Sequence, residues 1–410
     1  MIPGVARVLL LLPSGTYKAP DFLAAAARLG VDVVVASEAE QTLSQAMGDR
    51  AVVVDLCDTP GSASTITDLD ARYPVDAVVA VDDQGVVIAA QANRRLGLPA
   101  NDPEAVARTR DKAALRAALE SSEVRQPAFR VVSGPDEVVA AGEQLGWPVV
   151  VKPVSLSASR GVIRADGPGE ADAAACRIRA ILDGDGHPPG EPLLVESYVA
   201  GREVALEGLL RGGELEVLAL FDKPDPLTGP FFEETIYVTP SRLPETVQAD
   251  VIRTVAEAAA AIGLTEGPVH GELRVDDEGR PWLLEVAART IGGLCARTLR
   301  FAAGVTLEEI VLRHALGLPV DPRRERPAAG VMMLPIPAAG RLVAVHGQDE
   351  ARAVPGITAL EISIHPGGTV VPLPEGDRYL GFLFARGPSP ADVEHALRAA
   401  HAHLEVEITP

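Results

Sequence analysis

The first hundred residues of the chain alternate between short apolar runs and amphipathic stretches. Runs rich in leucine and β-branched residues occupy residues 5–12, 31–36, 51–55 and 75–81. Apolar positions spaced as on a helix face cover residues 21–29 and 84–96. Each stretch is followed by a glycine, Gly30 or Gly97, where helices commonly end. Strands that alternate with helices predict a parallel sheet with helices on both faces.

Ligands bind such sheets at the carboxyl ends of the strands. Two polar segments meet this condition: the turn that begins at Ser14 after the first strand, and Asp82-Asp83 after the fourth. Ordinary turn chemistry explains both segments as well. No Gly-x-Gly-x-x-Gly motif follows any of these strands, and a Walker-type phosphate loop is excluded because no lysine follows a glycine.

Beyond residue 100 the pattern predicts helices, antiparallel strand pairs and a boundary near residue 319. Helices are predicted over residues 111–119, 250–262 and 307–316, and strands over residues 147–152, 161–164, 193–198, 204–210 and 214–221. A hairpin joins residues 269–275 to residues 282–287 through a turn that contains Gly279. Proline and arginine are frequent in residues 319–327, and a tail of short strands and one late helix follows.

Composition narrows the classes of partner. The formal charge of −20 argues against nucleic acid, because a strongly acidic surface repels phosphate backbones. No apolar run reaches the roughly 18–20 residues that span a bilayer. The leucine run near the N-terminus is short and ends in a turn, which indicates a buried strand rather than a signal peptide. Three widely spaced cysteines argue against a disulfide framework or a zinc site and fit a reducing cytoplasm.

Lysine is scarce in this chain. Of the 37 basic residues only four are lysines: Lys18, Lys112, Lys152 and Lys223. A lysine retained among so many arginines indicates a position that needs a compact ammonium group rather than a planar guanidinium. Chance retention explains any single one of them equally well.

The segment around Lys152 is a candidate phosphate site. Lys152 ends an apolar strand, and a loop of small residues that includes Ser159 and Gly161 follows it. The ammonium group supplies a point charge, and small residues let backbone N–H groups approach phosphate oxygens closely. A plain β-hairpin explains the same pattern.

A second candidate is the link between two strands that runs from Glu196 through Val199 to Glu203. Such a link exposes backbone groups with which an adenine can pair. Glu203 then lies where it can accept hydrogen bonds from ribose hydroxyls. A surface salt bridge in a hairpin is the alternative interpretation.

The strongest chemical signal is the pair of carboxylates Glu272 and Glu285 on the two strands of the predicted hairpin. Like charges that are buried together repel unless a cation neutralises them, and magnesium prefers hard oxygen ligands. Arg289 at the strand end supplies a guanidinium that can stabilise an oxyanion, and Gly292-Gly293 permits close backbone approach. A carboxylate–arginine network that only ties the two strands together is the alternative.

These motifs, in this order, resemble the ATP-grasp superfamily. Within it the chain is similar to the carboxylate–amine ligases, especially the bacterial L-amino-acid ligases, whose C-terminal domain resembles residues 335–340, 353–356 and 378–387. The fold class that this resemblance implies is α/β and α+β with several domains. An N-terminal parallel-sheet domain precedes an ATP-grasp fold, and an α+β domain ends the chain.

The resemblance also implies domain boundaries. A Rossmann-like pre-ATP-grasp domain is expected over residues 1–108. The ATP-grasp domain is expected over residues 109–318, with subdomains at 109–190 and 191–318. The C-terminal domain of the L-amino-acid ligase type is expected over residues 319–410.

The resemblance assigns roles to the motif residues. The residues expected to bind ATP are Lys112, Lys152, Ser159, Gly161, Glu196, Val199 and Glu203. Glu272 and Glu285 would hold Mg²⁺, with Mn²⁺ as an alternative, and Arg289 would steady the acyl phosphate and the tetrahedral intermediate. In the family reaction the γ-phosphoryl group of ATP passes to a carboxylate, and an amine then displaces phosphate.

The expected partners are a small-molecule carboxylate and a small-molecule amine, without nucleic acid or membrane, in a cytoplasmic homodimer. The residues expected to face these substrates are Ser14, Lys223, Glu233, Gly292 and Gly293. Residues 221–235 form a long loop that is either a lid over the site or a solvated connection.

One position departs from the family pattern. After the second glutamate the family has Glu-x-Asn-x-Arg, and its asparagine binds a second magnesium ion, whereas this chain has Ala287. Two other functions therefore stay open: a carboxylating or purine-pathway type of ATP-grasp enzyme, and an ATP-binding regulatory protein with an altered metal site. The tail argues against the first, and the retained lysines, glutamates and Arg289 argue against the second.

Overall fold

The computed structural model describes residues 5–39 and 50–410. The first hundred residues form a parallel sheet in the order β3-β2-β1-β4, as the alternation predicted. Its elements are β1 (Arg7–Leu11), α1 (Ala19–Leu29), β2 (Asp32–Ser37), β3 (Ala51–Val53), α2 (Thr59–Asp70), β4 (Ala77–Ala80) and α3 (Val86–Leu96). Gly30 and Gly97 end α1 and α3 at φ values of 66° and 68°, a left-handed conformation that favours glycine.

Residues 103–197 contribute a small antiparallel sheet in the order β5-β8-β6-β7. The elements are α4 (Pro103–Arg108), α5 (Lys112–Leu119), β5 (Phe129–Val132), α6 (Pro135–Leu145), β6 (Val149–Pro153), β7 (Ile163–Ala165), α7 (Pro168–Gly184) and β8 (Leu193–Ser197). Helices α6 and α7 cover one face with buried residues such as Val138 and Ile178. The register of β6 and β8 places Lys152 and Glu196 near each other, because Lys152 pairs with Leu194 and Val150 pairs with Glu196.

Residues 202–315 contain five strands of a larger sheet. The elements are β9 (Arg202–Arg211), β10 (Glu214–Lys223), β11 (Ile236–Thr239), α8 (Glu245–Ile262), β12 (Gly267–Val275), β13 (Pro281–Ala287) and α9 (Leu307–Ala315). Helix α8 packs Val251, Val255 and Ile262 on one side of the sheet, against residues such as Leu206 and Leu273. The spacing of these helix positions, four and seven residues apart, gives one apolar stripe.

The tail adds β14 (Ala328–Leu334), β15 (Gly340–His346), α10 (Gln348–Ala353), β16 (Ile357–Ile362), β17 (Thr369–Val370), β18 (Gly381–Gly387), α11 (Pro390–His401) and β19 (Glu405–Thr409). Strands β14, β18 and β16 extend the large sheet, whose order is β13-β12-β9-β10-β11-β14-β18-β16. The sheet therefore continues past residue 318, and the proposed domain boundaries stay a prediction. Strands β17, β15 and β19 form a separate sheet.

Two further observations concern the chain as a whole. All three cysteines, Cys57, Cys176 and Cys295, are free thiols. Among the helices of residues 5–39 and 50–410, none has the length and apolar character needed to cross a membrane.

Candidate functional site

A cleft of about 790 Å³ is lined by the small sheet, the large sheet, the N-terminal domain and the tail. Its walls include the turn after β1, the loop after β6, strands β9, β11, β12 and β13 of the large sheet, and tail residues between Ser363 and Phe382 of β18. The parallel sheet, the two antiparallel sheets and the tail thus converge on one volume, although they come from distant parts of the sequence.

The register of the large sheet arranges the polar residues of the cleft in rows. Across β10, β9 and β12 the first row is Lys223, Glu203 and Arg274. In the next row, Ala205 of β9 is followed by Glu272 of β12 and Glu285 of β13. Side chains of directly paired residues lie on the same face of a sheet. The two carboxylates that the sequence singled out are therefore cross-strand neighbours, and a bulge between Glu272 and Leu273 brings them into register.

A third row contains residues that sequence reasoning missed. Glu207 of β9 pairs with His270 of β12, and His270 pairs with Ala287 of β13. Glu207 is fully buried, and its Oε2 lies 3.3 Å from His270 Nδ1. His270 Nε2 lies 3.4 Å from Glu272 Oε1. Alternation along β9 could have indicated that Glu207 shares a face with Glu203, but only long-range pairing shows its partner.

The end of the cleft near the small sheet carries two of the four lysines. The ammonium group of Lys112 donates to the carbonyl oxygen of Leu156 at 2.5 Å and lies 3.7 Å from Glu285 Oε2. Lys152 lies 2.7 Å from Glu196 Oε2, and Arg116 donates to Glu196 Oε1 at 2.6 Å. Burial alone would raise the pKa of the Glu196 carboxyl, but the two cations lower it below its ordinary value.

Lys223 is the centre of a buried cluster, which we call the lysine cluster: Lys223 with Glu203, Glu234 and Glu272. Its ammonium group lies 2.7 Å from Glu203, 2.7 Å from Glu234 and 3.2 Å from Glu272. Burial lowers the pKa of Lys223, but the three carboxylates raise it well above its ordinary value. The oxygens of these carboxylates lie within 4.8 Å of one another. The lysine charge already fills the centre of this acidic group.

Several residues predicted from sequence do not line the cleft. Ser14 is not among the lining residues, and both its amide and its hydroxyl donate to Glu38, which does line the cleft. The amide of Gly161 donates to the carbonyl oxygen of Pro374 in the tail. Glu234 lines the cleft in place of Glu233, its neighbour in sequence. The sequence suggested that Lys223 belongs to a loop over the site. Instead, Lys223 is the last residue of strand β10 and is buried.

The remaining predicted residues do line it. Lys112, Lys152, Ser159, Glu196, Val199, Glu203, Glu272, Glu285, Arg289, Gly292 and Gly293 all face the cleft. The carbonyl oxygen of Val199 already accepts a hydrogen bond from Arg274 at 2.8 Å, and Glu203 Oε2 accepts one from the same guanidinium at 3.1 Å.

Arg289 is held by the N-terminal domain. Its Nε lies 3.0 Å from Asp83 Oδ1, and Arg110 Nη1 lies 3.1 Å from the same oxygen. Burial raises the pKa of the Asp83 carboxyl, but the charges of Arg289 and Arg110 lower it to about 2. Asp83 follows the fourth strand of the parallel sheet, where ligands were expected to bind, and its position at the cleft agrees with that expectation.

Two residues of the N-terminal domain, Tyr17 and Lys18, contact the loop after β13. Lys18 Nζ lies 3.3 Å from the carbonyl oxygen of Thr290 and 3.4 Å from Asp82 Oδ1. The amide of Gly293 donates to the hydroxyl of Tyr17 at 2.7 Å. The loop that contains Gly292 and Gly293 is therefore anchored from the N-terminal domain at both of its ends.

The donor set can be tested against a magnesium ion. Glu272 and Glu285 face each other across β12 and β13 and supply hard carboxylate oxygens at the cleft, as magnesium requires. Ala287 lies one row away on the same strand and offers no ligand atom. These residues fit one magnesium ion shared with phosphate oxygens.

The sequence of the chain matches three protein-family models. Residues 145–298 match the model of the ATP-grasp domain, residues 23–100 match the ATP-grasp N-terminal domain, and residues 332–409 match the L-amino acid ligase C-terminal domain 2. A D-alanine–D-alanine ligase of Gloeobacter violaceus is 32% identical over 53% of this chain and 72% of its own length. An alanine–anticapsin ligase of Bacillus subtilis is 26% identical over 58% of this chain, and the match spans 54% of that relative.

A solved structure is similar over the whole chain. The L-amino acid ligase of Bacillus licheniformis has a TM-score of 0.82 and 25% identity, with 99% of each chain covered. A carboxyaminoimidazole ribonucleotide synthase from Aspergillus clavatus, complexed with ATP, has a TM-score of 0.75 at 16% identity over 97% of this chain and 99% of its own, and so shares the fold. By its sequence and by its fold, this chain belongs to the ATP-grasp family of ligases.

Proposed function

We propose that the protein joins a carboxylate to an amine at the expense of ATP, with an amino acid as at least one of the two substrates. The observation that carries this proposal is the cleft itself. It combines two lysines, a facing pair of carboxylates and an anchored arginine, in a chain whose tail matches the L-amino acid ligase domain. Activation of a carboxylate by ATP needs cations near the phosphates, ligands for a metal ion and a group that stabilises negative charge, and these residues can supply all three.

The end of the cleft near the small sheet suits the nucleotide. Lys112 and Lys152 supply charges for the phosphates, and the loop that contains Ser159 supplies backbone N–H groups. The strand end from Glu196 to Val199 suits the adenine, and Glu203 suits the ribose. Positioning and electrostatic stabilisation do most of the work in phosphoryl transfer, because the transferred group needs little covalent help from the protein.

Glu272 and Glu285 would hold magnesium, which neutralises phosphate charge when it is bound. Arg289 is fixed by Asp83 and needs no reorganisation to meet negative charge that develops on the substrate. The carboxylate oxygen of the substrate attacks the γ-phosphorus and ADP leaves. The amine then attacks the carbonyl carbon, phosphate leaves, and the amine loses a proton.

Two further assignments complete the proposal. The substrates are small molecules, and we place the protein in the cytoplasm as a homodimer, which is the commonest form of soluble oligomers. The free cysteines fit that compartment. The proposed boundaries of the domains are residues 1–108, 109–318 and 319–410.

The first experiment is a phosphate-release screen over pairs of amino acids with ATP and magnesium. We expect ADP and phosphate to accumulate for a subset of pairs. Hydroxylamine, added in place of the amine substrate together with the carboxylate substrate, ATP and magnesium, should trap the activated carboxylate as a hydroxamate. ATP binding without turnover across a broad panel would favour a regulatory protein instead.

The carboxylate pair can be tested by Glu285→Gln. This change keeps the shape of the side chain but removes the charge that a cation requires, so turnover should fall at least about 100-fold. Glu278→Gln is the matched control, because Glu278 lies exposed in the turn of the same hairpin. Turnover of Glu285→Gln close to that of the control would remove Glu285 from the metal site.

A further inference from the structure

Glu207 is a carboxylate with apolar neighbours in the interior of the protein. It lies in β9 and is fully buried, and its neighbours on the same face of the strand, Ala205 and Leu209, belong to an apolar core. A charged group in such surroundings costs free energy unless it forms specific interactions. The partners of Glu207 therefore indicate why a glutamate is present.

Both partners of Glu207 line the cleft. Its Oε2 accepts a hydrogen bond from the amide of Ile291 at 3.0 Å and lies 3.3 Å from His270 Nδ1. Its Oε1 has no hydrogen-bond partner among the described residues. One carboxylate oxygen thus contacts both a side chain of the cleft wall and the start of the loop that contains Gly292 and Gly293.

In the row of paired residues that contains His270, Glu207 is the other polar residue. In that row Glu207 and His270 lie between Ala219 of β10 and Ala287 of β13. Each alanine presents only a methyl group, so neither competes for the imidazole. The other ring nitrogen, Nε2, lies 3.4 Å from Glu272 in the neighbouring row. The ring is therefore held between two carboxylates, with Nδ1 toward Glu207 and Nε2 toward Glu272 and the cleft.

We propose that Glu207 is a positioning residue: it fixes the His270 imidazole with Nε2 toward the cleft, and it fixes the loop from Ile291 to Gly293 against which the substrates of the ligase bind. This inference rests on the proposed function for the identity of the substrates. Tyr17 holds the far end of the same loop at Gly293, so Glu207 and Tyr17 together define its path. A small displacement of such groups lowers the rate of reaction strongly.

The test uses the full chain labelled with ¹⁵N-histidine, with the ring signals of His270 assigned by their loss in His270→Asn. The informative variants are Glu207→Gln, which keeps the shape, and Glu207→Met, which removes the acceptor. Glu308→Gln is the matched control, because Glu308 is also a buried carboxylate and does not line the cleft. The ring ¹H and ¹⁵N signals report the hydrogen bond between Nδ1 and Glu207, without any need for turnover.

We expect the wild-type protein to show an Nδ1–H that is hydrogen-bonded to Glu207, and the Glu207 variants to shift or lose that signal. We also expect the KM for the amino-acid substrate to rise about 10- to 100-fold, while the KM for ATP stays within about twofold. The control should match the wild type in both measurements. If Glu207→Met does not fold, Glu207→Gln decides both readouts.

Unchanged His270 signals in the folded Glu207 variants would overturn the inference, whatever the activity. Altered signals with an unchanged KM for the amino acid would also overturn it, because the orientation would then have no bearing on substrates. Altered signals in a protein that turns over no substrate would leave the positioning of His270 intact and would refute the proposed function instead.

Discussion

Substitution of Asp83 by asparagine should weaken both the fold and the site. Asp83 pairs with Arg289 and Arg110 at 3.0 Å and 3.1 Å, and the side chains of Asp83 and Arg289 are only 16% and 12% exposed. Asparagine is nearly isosteric with aspartate, so the change removes charge and leaves the packing alone. Arg289 would lose its anchor, and turnover should fall together with stability.

The magnitude follows from the pKa of Asp83. The pKa is lowered from 3.8 to about 2 in the folded protein, and each unit corresponds to about 1.4 kcal/mol, so the carboxylate contributes about 2–3 kcal/mol. Removal of one partner from a buried ion pair costs about 3–5 kcal/mol, because the other charge stays buried. The expected loss in the free energy of unfolding is therefore about 2–5 kcal/mol.

The pH dependence has a definite sign. A carboxyl whose pKa is lower in the folded state stabilises the fold at pH values above its unfolded pKa of 3.8, and this contribution disappears as the pH falls toward about 2. The difference between the wild type and Asp83→Asn should thus be constant at pH 5–8 and shrink below about pH 4.

The assay is urea unfolding followed by the fluorescence of Trp147 and Trp282. Asp321→Asn is the control. Hydrogen bonds with Arg323 also lower the pKa of Asp321 to about 2, but this pair lies at the surface. We expect no measurable loss for the control. A loss below about 1 kcal/mol for Asp83→Asn, as found for surface pairs, would refute the reasoning.

Two further predictions concern the end of the cleft near the small sheet, where we propose that the nucleotide binds. Glu196→Gln should lower the free energy of unfolding by about 3–5 kcal/mol, because Lys152 and Arg116 would stay buried without their carboxylate; urea unfolding measures this loss, and a change like that of a surface residue would contradict it. Arg177→Ala breaks an exposed pair with Glu375 of the tail and should cost under about 1 kcal/mol. It should nevertheless raise the KM for ATP, because the carbonyl oxygen of Glu375 accepts a hydrogen bond from Arg160 of the loop after β6, which we propose binds the phosphates. An unchanged KM would exclude that coupling.

Local patterns were sufficient for part of the fold and the site. Residues that alternate between strand and helix formers predicted the parallel sheet, and Gly30 marked the end of α1, because these features depend on neighbours in sequence. The short turn at Gly279 predicted that β12 pairs with β13. The direct pairing of Glu272 with Glu285 also needs a bulge between Glu272 and Leu273, which shifts the register by one residue and which no local pattern indicated. That register also placed Ala287 beside the carboxylates.

Other features depend on pairings between distant segments. Lys223 lies under three carboxylates because β10, β9 and β12 are adjacent in the large sheet, and no local pattern fixes that order. Glu207 and His270 are 63 residues apart, and their contact arises from the pairing of β9 with β12. Gly161 suited a phosphate loop by composition, but its amide bonds to Pro374 of the tail, a contact that spans more than 200 residues.

The central claim is that a carboxylate is activated by transfer of the γ-phosphoryl group of ATP. The most direct test uses an amino acid labelled with ¹⁸O in its carboxylate, an amine acceptor, ATP and magnesium, with ³¹P NMR of the products. Activation as an acyl phosphate transfers one ¹⁸O atom to inorganic phosphate and leaves ADP unlabelled. Appearance of the label in AMP, together with pyrophosphate, would contradict the proposed mechanism.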